Sequence, residues 1–190
     1  MNRFLDNKLI GFSIKTMIDE GKSDKDIADE YFGSFVRYNK GFTLYRELSR
    51  ANVAREVQVF VLWGRPGTGK TRIIFETYPN VWIASDPTLQ WFDGYEGQDT
   101  LLLDDYRGDA KSAFMLRLLD RYPLKVPVKG SFKAWLPTRI FITSNIAPPF
   151  GHDDVAEPFR RRVKHVIKLD HNIYRDGADN EIEVIKNLIN

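Results

Sequence analysis

Gly64-Arg65-Pro66-Gly67-Thr68-Gly69-Lys70-Thr71 is a complete G-x-x-x-x-G-K-[ST] loop, and it follows directly on Val57-Gln58-Val59-Phe60-Val61-Leu62-Trp63. The upstream run is rich in β-branched and aromatic residues and reads as a buried strand. The downstream segment, Thr71-Arg72-Ile73-Ile74-Phe75-Glu76-Thr77-Tyr78, can open a helix. Strand, glycine loop and helix together form the context in which such a loop cradles phosphate. Its glycines permit backbone conformations closed to other residues, so successive N–H groups can surround a polyphosphate. Lys70 is then placed to reach the β- and γ-phosphates of ATP, and the Thr71 hydroxyl to hold Mg²⁺. An ordinary glycine-rich turn before a helix is the plain alternative, and the flanking pattern argues against it.

Downstream of the loop, strand and helix patterns alternate. Val81-Trp82-Ile83-Ala84, Thr100-Leu101-Leu102-Leu103, residues 139–143 and residues 163–169 read as strands, and residues 112–122 as an amphipathic helix. Such alternation predicts an α/β fold with a mainly parallel sheet. Residues 1–52 differ: Leu9, Ile10, Ile14, Met17 and Ile18 recur at helical spacing, with Gly21 placed to stop that helix. Ser23-x-x-Asp26 resembles a capping box for a second helix carrying Ile27, Ala28 and Tyr31. A third helix is expected to end near Gly41 and a fourth to carry Phe42, Leu44, Tyr45 and Leu48. Four short helices bury little surface alone, so this segment must pack on the following domain or on a neighbouring subunit. The chain thus divides into a helical segment (1–52), an α/β domain (53–169) and an acidic tail (170–190), whose Ile182, Ile185, Leu188 and Ile189 can line a short helix.

Composition sets bounds. With 190 residues, 43% hydrophobic and 13% aromatic, the chain suits one core-forming domain plus a small appendage. It contains no cysteine, which excludes disulfides and thiolate metal sites and fits an intracellular compartment. No apolar stretch near the N-terminus has the length of a signal peptide or membrane span, so no membrane partner is expected. The net charge is only +2, but residues 170–190 hold five acidic against two basic residues, leaving a mildly basic body. That balance is compatible with a polyanion partner and does not demand one.

Two further strand ends carry polar groups. Leu101-Leu102-Leu103 runs into Asp104-Asp105, a pair of carboxylates of which the first can hold Mg²⁺ and the second polarise an attacking water. A solvated turn is the alternative for two adjacent acids, and the phosphate loop upstream weighs against it. Ile140-Phe141-Ile142-Thr143-Ser144 ends at Asn145, which can bond the γ-phosphate and the attacking water, or simply serve the turn before Pro148-Pro149. In a parallel sheet such strand ends converge on one crevice, the usual place for a ligand. Arg160-Arg161-Arg162 reads either as an arginine finger offered to a neighbouring subunit's ATP or as a solvated basic face. Residues 126–135 suggest a β-hairpin with Lys129-Gly130-Ser131 at its turn, where Lys129 and Lys133 can grip nucleic-acid phosphates or simply keep a hairpin tip soluble.

The order of these elements resembles the superfamily 3 helicase domain of replication initiator (Rep) proteins from circular single-stranded DNA viruses and related plasmids. The resemblance covers about residues 10–169. Residues 64–71 are similar to its Walker A motif, 101–105 to Walker B, Lys129-Gly130 to its B′ hairpin and 142–145 to motif C. Trp91-Phe92-Asp93-Gly94-Tyr95, Asp104-Asp105-Tyr106-Arg107-Gly108 and Asp120-Arg121-Tyr122-Pro123-Leu124 are also similar to family sequence. Glu20-Gly21-Lys22-Ser23, Ile27-Ala28 and Tyr38 resemble the helical oligomerisation segment that precedes the domain. Two departures stand out. Ser131 takes the place of a second glycine, and three arginines follow Phe159 where relatives have two, so the finger falls to Arg161 or Arg162.

The resemblance implies an AAA+-like P-loop ATPase with a helical oligomerisation bundle. It further implies an ATP- and Mg²⁺-dependent DNA helicase that works as a homo-oligomeric ring, commonly a hexamer, moving 3′ to 5′ on single-stranded DNA. In a eukaryotic virus that implies the host nucleus. Full-length initiators of this kind usually begin with a nicking endonuclease domain, so the sequence reads as a C-terminal piece of one. Tyr122-Pro123-Leu124-Lys125 fits the Tyr-x-x-Lys nicking pattern by chance: His152, His165 and His171 are isolated from each other, and Tyr122 sits inside the helicase-like block. Three rival readings stay open: a superfamily 3 ATPase acting on RNA, as in RNA viruses; a small-molecule kinase; and a P-loop assembly module that binds ATP without helicase activity.

Overall fold

Gln58–Gly64 (β1), Thr100–Leu103 (β3) and Arg139–Ser144 (β6) are almost wholly buried, as strands covered on both faces are. With Trp82–Ile83 (β2) and Val163–Leu169 (β7) they form a five-stranded sheet ordered β2-β3-β6-β1-β7, parallel throughout. The computed structural model describes residues 3–50, 54–150, 153–175 and 179–190. It divides into two compact units, Met1–Asn52 and Val53–Asn190.

The two-residue period of the strands sorts their side chains into two cores. Val59, Val61, Leu101, Leu103, Ile140 and Ile142 meet Phe92, Tyr95, Trp135 and Phe159 on one face, together with Ser112–Leu118 (α5). Phe60, Leu62, Leu102 and Phe141 lie on the other, under Lys70–Thr77 (α4) and Asp179–Ile189 (α7). There Phe60 and Phe141 stack at 5.2 Å between ring centroids. Ile185 and Ile189 of α7 are buried in that second core, and Tyr78 donates to the Ile189 carbonyl at 2.9 Å. Residues 170–190, set apart above as an acidic tail, therefore belong to the α/β unit.

Helix α5 stops at Leu118, short of the expected residue 122. Arg55 accounts for this: its guanidinium donates to the carbonyls of Leu118, Asp120 and Trp135, satisfying the groups a continuing helix would use. Burial pulls this arginine down to about 10. Lys125–Val128 (β4) and Ser131–Ala134 (β5) form the expected antiparallel hairpin, with Gly130 at φ +81 in its turn.

In the first unit, Arg3–Asp19 (α1) ends as expected at Gly21, whose φ is +79. Gly21 N–H donates to the Ile18 carbonyl and Lys22 N–H to that of Met17, the paired bonds of a Schellman motif. Asp24–Glu30 (α2) carries the complete Ser23/Asp26 capping box. One expectation fails: Phe32–Arg50 (α3) is continuous, so there are three helices over residues 3–50 and not four. A mid-helix glycine costs only about 1 kcal/mol against alanine, and Phe35, Phe42 and Tyr45 on either side of Gly41 pack on the core of Ile14, Ile18 and Ile27. Large apolar side chains remain exposed in this unit, among them Leu9, Phe12, Phe32, Val36, Leu44 and Leu48. No helix among the described residues is long and apolar enough to cross a membrane.

Candidate phosphate-binding site

At the C-terminal end of β1 the chain turns at Gly64 (φ +145), where a Cβ would collide with the Leu169 carbonyl on β7. Only glycine lets the loop leave the sheet so close to its neighbour strand. Gly69 (φ +99) then opens α4. Lys70 is buried and folds back over the loop, donating to the carbonyls of Gly64 (2.9 Å) and Arg65 (2.8 Å) and to Asn145 Oδ1 (3.2 Å). Burial lowers its pKa, against the opposing pull of Asp105 and Asp104.

The polar ends of β3 and β6 converge on this loop because β3, β6 and β1 are parallel neighbours. Thr71 Oγ1 donates to Asp104 Oδ1 at 2.6 Å. Asn145 Nδ2 donates to Asp105 Oδ1 at 2.6 Å, so the Asn145 amide bridges Asp105 and Lys70. Asp105 has φ +47, an uncommon conformation that aspartate tolerates better than most residues. Lys70, Thr71, Asp104, Asp105 and Asn145 are thus brought together; Arg65, Pro66 and Gly67 form the exposed crown of the loop, and buried Thr68 caps back to the Arg65 carbonyl.

Two contributors went unassigned in the sequence. Thr143, almost fully buried, donates to Asp104 Oδ1 (2.6 Å) and accepts from the Asp105 N–H (2.9 Å), tying the Asp104 carboxylate and the Asp105 backbone to β6. Arg107 pairs with Asp105 Oδ2 at 2.9 Å. Both lie in stretches already singled out by resemblance, Thr143 in 142–145 and Arg107 in 104–108, but no role had been given to either.

The exposed, hard oxygen donors of Thr71 and Asp104 fit Mg²⁺, which takes one or two protein oxygens and completes its shell with phosphate and water. No group of three or more His, Cys, Asp or Glu suited to a metal occurs among the described residues. His165 stacks on Phe60, His171 pairs with Glu181, and His152 lies outside the described residues.

The arginines lie elsewhere. They end Ala156–Arg162 (α6), immediately before β7, at the opposite end of the strands from the loop. Register pairs Val59 with Val163 and Gly64 with Leu169, a separation of about 17 Å at the usual strand rise. Neither Arg161 nor Arg162 reaches the phosphate loop of its own chain. Arg162 is tied to Asp120 (2.6 Å) and the Pro158 carbonyl (2.8 Å), whereas Arg161 is exposed on a cleft of about 750 Å³ shared with Arg55, Arg121 and Tyr122. Lys129 stands at the hairpin tip, its N–H on Asp93 Oδ1 (2.8 Å) and its ammonium 3.4 Å from Oδ2; Lys133 lies on β5 opposite Val126.

Residues 60–146 match the family described as RNA helicase. The replication-associated protein of Beak and feather disease virus is 36% identical over 152 residues, covering 74% of this chain and 50% of that protein. Those of Goose circovirus (35% over 147 residues; 75% and 50%) and Porcine circovirus 2 (32% over 149; 77% and 47%) are similar. The chain spans about half the length of these curated relatives.

Proposed function

Since this chain belongs to the Rep family of circular single-stranded DNA viruses and carries its superfamily 3 helicase domain, we propose that it is an ATP- and Mg²⁺-dependent DNA helicase acting as a ring on single-stranded DNA. The observation that carries this reading is the convergence of Lys70, Thr71, Asp104, Asp105 and Asn145 on one glycine loop. When bound, Mg²⁺ supplies charge neutralisation at the phosphates. The chain's residues do the rest. Lys70 holds the β- and γ-phosphates once it exchanges loop carbonyls for phosphate oxygens; Thr71 and Asp104 hold the cation. Asp105 takes the proton of the attacking water as its oxygen bonds to the γ-phosphorus and ADP leaves. Asn145 and Arg107 fix the Asp105 carboxylate through its two oxygens.

The distance of the arginine helix from its own loop favours a site shared between subunits, with exposed Arg161 as the finger and Arg162 anchoring the helix through Asp120. The exposed apolar side chains of residues 1–52 support that segment as the oligomerisation unit, with a hexamer as the expected ring. Lys129 and Lys133 are the proposed phosphate contacts to DNA. Such an initiator works inside the host cell, and in its nucleus where the virus is one of eukaryotes.

The test is phosphate release by the purified chain with single-stranded DNA or RNA, alongside native mass of the assembly with ATP and Mg²⁺. Stimulation by DNA within an oligomer is expected. Stimulation by RNA alone would return the reading to an RNA-directed ATPase, and binding without turnover to an assembly module.

A further inference from the structure

The segment after β7 lies against the phosphate loop. Ile173 is buried in the core beside α4, and its N–H donates to the Thr68 carbonyl at 3.3 Å. Asn172 Nδ2 donates to the Gly67 carbonyl (2.7 Å), while its Oδ1 accepts from the Tyr174 N–H (2.9 Å). A Cβ on Gly69 would stand 2.8 Å from two carbons of the Tyr174 ring, so the ring rests directly on the loop backbone. Over this ring lies the Arg72 guanidinium, 3.8 Å from its centroid.

Glu76 fixes both partners. Its Oε1 accepts from Arg72 Nε at 2.8 Å and its Oε2 from the Tyr174 hydroxyl at 2.9 Å, with Lys186 3.6 Å away. The bonds from Arg72 and Tyr174 hold the Glu76 carboxyl below its ordinary value. Burial, reinforced by the bond to Glu76, pushes the Tyr174 phenol up, so it keeps its proton and donates. A guanidinium and a phenol ring are thereby locked together before any ligand arrives. They line a cleft of about 440 Å³ that begins at Gly69, Lys70 and Thr71.

That volume is of the size that holds a small ligand. A nucleotide with its phosphates on Lys70 and Thr71 must place its nucleoside beside the loop, and this cleft adjoins those two residues. Planar cations and aromatic rings attract bases by stacking, which is tolerant of base identity. Three nearby edge-reading groups, the Asn172 amide, Tyr174 hydroxyl and Glu76 carboxylate, are already engaged with one another and with the loop, and Arg175 also lines the cleft. The geometry points to a nucleobase subsite on the Arg72–Tyr174 pair that takes the purine of a nucleoside triphosphate by stacking and separates ATP from GTP only weakly. This assignment rests on the nucleotide reading above.

Calorimetric binding of ATP, GTP and inorganic tripolyphosphate to the full chain and its variants tests it. Tyr174→Ala should weaken ATP and GTP about tenfold or more and leave tripolyphosphate unchanged. Arg72→Lys keeps the charge but removes the flat guanidinium, and should lose the two nucleotides in the same way. Unchanged ATP affinity in both variants overturns the subsite. Parallel loss of tripolyphosphate also overturns it, since Tyr174 would then only prop the loop. A wild-type preference for ATP over GTP of roughly a hundredfold would require edge readout and refute stacking alone. Wild-type protein that binds neither nucleotide nor tripolyphosphate removes the nucleotide reading itself, and the subsite with it.

Discussion

Replacing Thr143 with valine keeps the shape of a buried side chain and deletes one oxygen. In the native protein that oxygen donates to Asp104 at 2.6 Å and accepts from the Asp105 N–H at 2.9 Å. Because valine is isosteric, no cavity term enters; the loss is of hydrogen bonds. A part-buried N–H left without a partner costs about 1–3 kcal/mol, and a bond to a charged carboxylate contributes a similar amount when dry. Asp104 is exposed, so water replaces most of the second term. The freed N–H also belongs to a residue at φ +47, a strained conformation that needs its contacts. The expected destabilisation is therefore about 1–3 kcal/mol, a shift of roughly 1 M in the urea midpoint at ordinary slopes. Trp63, Trp82, Trp91 and Trp135 all lie in the second unit, so tryptophan fluorescence follows this transition alone. Phosphate release should fall about tenfold or more through kcat, because the Asp104 carboxylate and the Asp105 backbone lose a tether while Lys70 does not. Thr143→Ser, which restores the hydroxyl, should behave nearly as wild type. Equal damage by serine and valine, or none by valine, would refute the tether.

Burial lowers Lys70, so its charged form, which phosphate needs, should be lost as pH rises below the ordinary lysine value of 10.5; nucleotide affinity should decline there, and not in Lys70→Arg, which stays charged. In the same alkaline window the unfolded chain binds more protons at this site than the native one, so Lys70's contribution to stability should rise with pH, as urea titrations against Lys70→Arg would record. Arg161→Ala should bind ATP yet hydrolyse it on the order of a thousandfold more slowly, and mixing it with Lys70→Ala should restore partial turnover; no rescue at assembling concentrations refutes the shared site. Lys129→Ala should leave basal ATPase intact and lower the salt slope of single-stranded DNA binding by about one ion, an effect that fluorescence anisotropy across several salt concentrations measures.

The parts of this fold that the sequence made legible are those whose cause is local. A glycine loop behind a strand, a capping box, a hairpin turn and a period of two each act within a few residues, and all appear where expected. Gly41 misled because a glycine that signals a helix end also survives mid-helix when neighbours such as Phe42 and Tyr45 have a core to pack on. The short α5 depends on Arg55, more than 60 residues away from the carbonyls it caps, and no window of the sequence contains both.

The site divides along the same line. Lys70, Asp104, Asp105 and Asn145 were each recognisable from the strand or loop that carries them, but their mutual geometry comes from the order of the sheet. Placing β6 between β1 and β3 sets Asn145 between Lys70 and Asp105 and puts Thr143 beneath both carboxylates. Parallel neighbours must be joined by long crossovers, so these contacts span 33 to 75 positions in sequence. Parallel order also fixes what the site lacks. Loops after the strands share the phosphate edge, whereas α6 precedes β7 and is confined to the far edge. An arginine on α6 can meet a phosphate loop only if another subunit brings one to it. The same register that assembles the carboxylates, the lysine and the asparagine within one chain leaves the α6 arginines at the far edge, where the proposed shared site needs them.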